Sequence, residues 1–136
     1  MQIVSVQLNM VWEDKPANHR KATELLNTID IEPGGLIILP EMFDTGFSMN
    51  LASTAQSTAR ESEEFLKALA HKHQAAVMGG VAGPIVDQMS SNEAVVFSPS
   101  GSELVRYRKM QPFSLSSEGK YYGRGDRHGG HVPAWE

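Results

Sequence analysis

The segment Leu36-Ile37-Ile38-Leu39-Pro40-Glu41-Met42-Phe43 decides the fold class. Four consecutive large apolar residues predict a strand buried on both faces. Pro40 ends it, because proline has no amide hydrogen to give to a ladder, and a carboxylate follows at once. In an open α/β sheet, ligands collect at the carboxyl ends of the strands, so Glu41 stands where chemistry is usually done. Read alone, the simpler account is a solvated glutamate in a strand-to-loop turn.

Upstream, Pro33-Gly34-Gly35 is a turn. Before it, Ala22, Leu25, Leu26 and Ile29 follow the spacing of one apolar helix face, with Asp14 as cap and Pro16 tolerated in the first turn. Gln2 to Asn9 alternates as a strand does. The start is therefore β-α-β, which favours a parallel pair joined by a right-handed crossover.

Downstream, residues 42–58 read as a loop carrying unusually large apolar residues, Phe43, Phe47 and Met49. They either pack beneath it or line a pocket, and packing is the favoured reading. Arg60 to Gln74 predicts a helix with Phe65, Leu66, Leu69 and Ala70 on its buried stripe. Its glutamates lie near the start and His71, Lys72 and His73 near the end, as the helix dipole prefers; both histidines read as solvated. Ala75 to Val81 is a strand. The glycines from Gly79 to Gly83 lack the lysine and the following helix of a phosphate loop, so they suit close backbone approach instead. Ala94 to Ser98 and Glu103 to Lys109 form a hairpin around Pro99-Ser100-Gly101. Glu41 and Lys109 thus both stand at strand exits.

Composition narrows the function classes. The 136 residues carry a net charge of −4 and 21% charged residues, with no basic stripe to suggest a nucleic-acid partner. No segment approaches the roughly 20 apolar residues of a membrane span. The N-terminus has no signal-peptide pattern, so a cytoplasmic location is expected. No cysteine is present, which excludes disulfides, thiolate metal sites and a cysteine nucleophile supplied by these residues. His128 and His131 lie three apart in a Gly/Pro-rich tail without a helix to align them, so no metal is expected there. Arg124-Gly125-Asp126 reads as a chance tripeptide. No cofactor is expected.

Three segments together resemble the nitrilase, or carbon–nitrogen hydrolase, superfamily: Leu39-Pro40-Glu41-Met42-Phe43, Tyr107-Arg108-Lys109-Met110-Gln111-Pro112-Phe113, and Glu118-Gly119-Lys120-Tyr121-Tyr122-Gly123-Arg124-Gly125. Val4-Ser5-Val6-Gln7-Leu8-Asn9 also fits the family's first strand. Pro40-Glu41-Met42-Phe43 with Thr45-Gly46-Phe47-Ser48-Met49 is most similar to the omega-amidase branch, which hydrolyses the side amides of α-keto acids such as 2-oxoglutaramate and 2-oxosuccinamate. The resemblance implies an α/β fold: the N-terminal part of an αββα sandwich, a mixed sheet with two main helices on one face. It divides the chain into residues 1–127, belonging to the hydrolase domain, and an irregular tail at residues 128–136. It also implies a Glu-Lys-Cys triad. Glu41 matches the general base, Lys109 the oxyanion-stabilising lysine and Glu118 a second glutamate that orients the site. A thiol has an ordinary pKa of about 8.5, so a cysteine attacking an amide needs such a base or cation beside it.

The family's cysteine lies beyond the tyrosine-glycine segment, and Gly129 to Glu136 does not resemble the strands that carry it. The expectation is an N-terminal half produced by truncation, a shifted frame or a split gene, and inactive by itself. Its partners would be a small amide or carboxylate substrate and either a second copy or the missing C-terminal half. Such a half would expose sheet edge and apolar surface. The alternatives are a non-catalytic binding or scaffold protein, a half-enzyme complemented by a second polypeptide, and a decayed gene product.

Overall fold

The computed structural model describes residues 1–126. The chain begins β1 (Ile3–Ser5), α1 (Lys15–Leu26), β2 (Leu36–Ile38), and β1 and β2 pair in parallel, Val4 opposite Ile37. Asp14 caps α1 by accepting from the Ala17 amide at 2.9 Å. The helix is shorter than its periodicity predicts: Leu26 and Ala22 are buried, but Leu25 and Ile29 are each 38% exposed, and Ile29 lies past the helix end. The first strand is shorter too, covering three residues of the expected Gln2–Asn9.

The expected loop at residues 42–58 contains a single helical turn, α2 (Leu51–Thr54). Phe43 is fully buried there, while Phe47 and Met49 pack around Met42, Ala82 and Tyr122, as the packing reading expects. Then come α3 (Glu61–His73), β3 (Ala76–Ala82), β4 (Ser90–Phe97) and β5 (Glu103–Arg108). Arg60 and Gln74 bound α3, both in the left-handed region. His71 is exposed, but His73 is half-buried with Nε2 unpartnered among the described residues, and burial, then the Lys72 charge, holds its pKa below the ordinary value. The expectation that both histidines are solvated therefore fails at His73, which turns back toward the packed side of the helix.

The sheet order is β1-β2-β3-β4-β5, with β6 (Tyr122–Gly123) alongside β4. Pairing is parallel through β1-β2-β3 and antiparallel through β3-β4-β5, so the sheet is mixed. Val4, Ile37, Val77, Val95 and Phe97 face one side and meet Ala22 and Leu26 of α1 and Leu66, Leu69 and Ala70 of α3. Both main helices therefore cover one face. On the other face, register aligns Ile38, Met78, Val96 and Val105 in an apolar row across four strands. That is why Leu36 and Ile38 are only half-buried while Ile37 is fully buried: the expected burial of β2 on both faces holds on the helical side alone.

β4 starts four residues earlier than its apolar pattern predicts, at the polar run Ser90-Ser91-Asn92-Glu93, and all four are buried. Each has a partner, as burial of polar groups requires. Ser90 donates to the Gly83 carbonyl at 2.7 Å, and Ser91 to Glu93 at 2.5 Å. Glu93 faces the helical side, where Arg106 binds it together with Glu63 of α3, the latter at 2.8 and 3.0 Å. Asn92 points to the opposite face.

Candidate active site

Pro40 and Glu41 leave β2 just where β3 passes closest. Gly80 donates its amide to the Pro40 carbonyl at 3.2 Å, and its own carbonyl accepts from Phe43 at 3.2 Å. A Cβ at Gly80 would lie 2.6 Å from Glu41 Cα and 3.1 Å from Met42 N, both backbone atoms. This is the close approach that the glycine run predicts. Gly80→Ala is therefore expected to push the Pro40–Met42 turn off the sheet and to cost about 1–3 kcal/mol, as overpacking does. Urea titration checks it against Gly119→Ala, where the nearest atom is 3.9 Å away; equal midpoints for the two variants would show that the turn is not held by this contact.

Lys109 follows β5, and its amide donates to the Asn92 carbonyl at 2.8 Å, which extends the ladder by one residue. Its carbonyl accepts from Gly125 at 2.9 Å. Glu118 begins a 3₁₀ turn (Glu118–Lys120) and is completely buried. Although 77 positions separate the outermost two in sequence, Glu41, Lys109 and Glu118 converge. Lys109 Nζ donates to Glu41 Oε1 at 2.9 Å and to Glu118 Oε2 at 3.2 Å.

The electrostatics divide the three groups. Burial works against the charge on Lys109, but the hydrogen bonds and negative charge of Glu41 and Glu118 outweigh it and hold the ammonium above its ordinary pKa. It stays protonated and is suited to binding an anion. Burial likewise works against the Glu118 carboxylate, yet the Phe113 amide at 2.6 Å, Asn92 and Lys109 together hold its pKa below the ordinary value. Glu118 is an ionised anchor with both oxygens occupied. Glu41, by contrast, is half-exposed, with its side chain 52% accessible. Its Oε2 receives no hydrogen bond among the described residues, whereas Oε1 takes two.

The periodicity and motif reading missed a fourth member, Asn92. Its side-chain amide donates to Glu41 Oε1 at 2.6 Å and to Glu118 Oε1 at 3.2 Å. The available signal was its position in the polar run before Ala94, which reads as loop. On the far side Phe47 lays its ring 5.1 Å from Lys109 Nζ, a contact that favours a cation. Phe47 stacks on Tyr122, whose hydroxyl donates to the Ser48 carbonyl at 2.6 Å and so ties the loop to β6. Leu39, Met78, Gly80, Ala94 and Tyr107 line a cleft of about 190 Å³ running from the cluster along the uncovered face. Among the described residues no group of three His, Cys, Asp or Glu side chains is placed to hold a metal. His128, His131 and the expected tail at residues 128–136 lie outside the described residues.

The family model described as carbon–nitrogen hydrolase matches residues 2–133. An omega-amidase, YafV, of Yersinia enterocolitica is 32% identical over 122 residues, which are 90% of this chain and 46% of that protein. The 2-oxoglutaramate amidase of Bacillus subtilis is 26% identical over 116 residues, 85% of this chain and 45% of that protein. Among solved structures, XC1258 of Xanthomonas campestris, a CN-hydrolase superfamily protein with an arsenic adduct in its active site, superposes with a TM-score of 0.81 at 26% identity. That superposition covers 92% of this chain and 46% of XC1258. The chain thus spans about half the length of the relatives it matches, and its fold is the N-terminal part of theirs.

Proposed function

This chain belongs to the carbon–nitrogen hydrolase family, and we propose that it supplies the general base and the oxyanion-binding cation of an amidase acting on small α-keto acid amides. The observation that carries this reading is the single Lys109 ammonium bonded to both Glu41 and Glu118. Glu41, open to the cleft by one oxygen, takes the proton of an attacking thiol and later that of water. Lys109, held protonated, stabilises the tetrahedral oxyanion. Glu118 orients Lys109 and is not itself the base, because its oxygens already accept from Phe113, Asn92 and Lys109. The omega-amidase relatives support the substrate class.

The 136 residues contain no cysteine. On this reading the chain alone is inactive, and the thiol comes from a polypeptide equivalent to the second half of the relatives. Ile38, Met78 and Val105, half-buried in the apolar row on the face away from the helices, support such pairing, because burying their remaining surface gains about 25 cal/mol per Å². We take residues 1–127 as the part that belongs to the hydrolase domain. Among the described residues no helix is long and apolar enough to cross a membrane.

The test is ammonia release from 2-oxoglutaramate. The chain is assayed alone and after co-expression with the cysteine-bearing C-terminal half of an omega-amidase relative. Turnover is expected only from the pair. Turnover by the chain alone would overturn the claimed inactivity, while a stable pair that binds the substrate without turnover would favour the non-catalytic binding reading.

A further inference from the structure

We infer that Asn92 is a positioning residue whose side-chain amide pins Glu41 by Oε1 and leaves Oε2 as the oxygen that takes the proton. The inference deepens the reading above and rests on Glu41 being the base.

An asparagine amide nitrogen offers two hydrogens, and here each has a carboxylate: Glu41 Oε1 at 2.6 Å and Glu118 Oε1 at 3.2 Å. Asn92 is 4% exposed, so water does not compete well for either. Its own backbone is fixed on both sides. Asn92 pairs with Ala82 of β3, and its carbonyl accepts from the Lys109 amide at 2.8 Å. The donor that aims Glu41 is therefore part of the same ladder that carries Lys109. Glu41 needs this support more than Glu118 does, because it lies on a turn and its side chain is half-exposed. With Lys109 as its only partner, the carboxylate would be free to rotate about one contact. Two donors converge on Oε1 from different elements, and none of the described residues donates to Oε2. A neutral amide also does this without placing a second cation beside the base, which would lower its proton affinity.

The test uses the isotopically labelled 136-residue chain and needs neither thiol nor substrate. In ¹⁵N-correlated NMR spectra, Glu41→Gln is expected to shift the Asn92 side-chain amide protons upfield and to speed their exchange with water. Asn92→Leu, which removes the donor while keeping the branched shape, is expected to move the Glu41 carboxyl ¹³C resonance and leave the backbone amides of β3 and β5 in place. Unchanged Asn92 amide signals in Glu41→Gln would overturn the proposal. So would general movement across β3 to β5 in Asn92→Leu with no distinct change at Glu41, since that marks a packing residue. Failure of the amidase reading appears elsewhere, as a cysteine-bearing pair without turnover, and leaves these spectra as they are.

Discussion

Replacing Arg106 with methionine is expected to lower the stability of the fold by about 3–5 kcal/mol, the usual cost of stranding buried charge. Arg106 binds Glu63, Glu93 and Glu103, and the first two have side chains only 3% and 1% exposed. Burial pushes both of those carboxyls up, but hydrogen bonds from Arg106, with Arg60 on Glu63 and Ser91 on Glu93, more than reverse it. Both are held below the ordinary carboxylate range, so each contributes stability that is full above the unfolded pKa near 4.3 and lost as pH falls through the lower folded value. Without Arg106, Glu63 keeps Arg60 and Glu93 keeps Ser91 and Arg108, the last at 3.3 Å, but less opposes burial and both carboxyls rise, so the stability lost toward acid shrinks. Urea titrations between neutral and mildly acidic pH read both effects. The native chain should lose stability toward acid, whereas Arg106→Met should start far lower and lose less. A variant that kept the native midpoint at neutral pH would show that Arg60 and Arg108 satisfy the two carboxylates without it. A loss of that size is a large part of the 5–15 kcal/mol that holds an ordinary domain together.

On the proposed amidase reading, Lys109→Met carries the largest expected effect on catalysis. In the reconstituted pair, kcat for 2-oxoglutaramate should fall by about 10²–10³-fold, as when one donor to an oxyanion is removed. KM should change little, because the lost interaction forms only as the tetrahedral centre develops. The substitution also leaves Glu41 and Glu118 without the cation between them, so pairing with the cysteine-bearing half must be verified by size-exclusion chromatography before the rates are compared. Lys109→Arg is the useful companion: it keeps the charge but changes the geometry, and should retain pairing while losing most of the turnover. Native kcat in Lys109→Met would remove Lys109 from the mechanism.

The legible parts of this chain are those where periodicity is strong and local. Leu36 to Leu39 and the stripe Leu66, Leu69, Ala70 announce β2 and α3 directly, and the β-α-β start predicts the parallel β1–β2 pair that is found. Glu41 and Lys109 are visible as charges at strand exits, and their companion Glu118 emerges through resemblance of motif. What stays hidden depends on tertiary satisfaction of polar groups. Ser90 to Glu93 is written in loop residues, but every member finds a buried partner, so the ladder of β4 continues through them. Asn92 is hidden for the same reason, since nothing local marks an asparagine as bridging two distant carboxylates. At α1 the error is opposite in kind: Leu25 and Ile29 fit the helical period, but the helix stops at Leu26 and the packed face runs through Asn18, Ala22 and Leu26.

The cluster of two carboxylates around one ammonium has a consequence in charge. With all three ionised, two negative charges against one positive leave one negative charge in excess. A thiolate formed elsewhere would meet repulsion on entering such a site. On the proposed reading, a neutral thiol that surrenders its proton to Glu41 on arrival leaves the protein side of the cluster balanced and the sulfur facing Lys109. On that reading the same count bears on how an α-keto acid would be held. Two of the three ammonium hydrogens of Lys109 go to Glu41 and Glu118, which leaves one for the oxyanion, so the substrate's own carboxylate calls for a second cation.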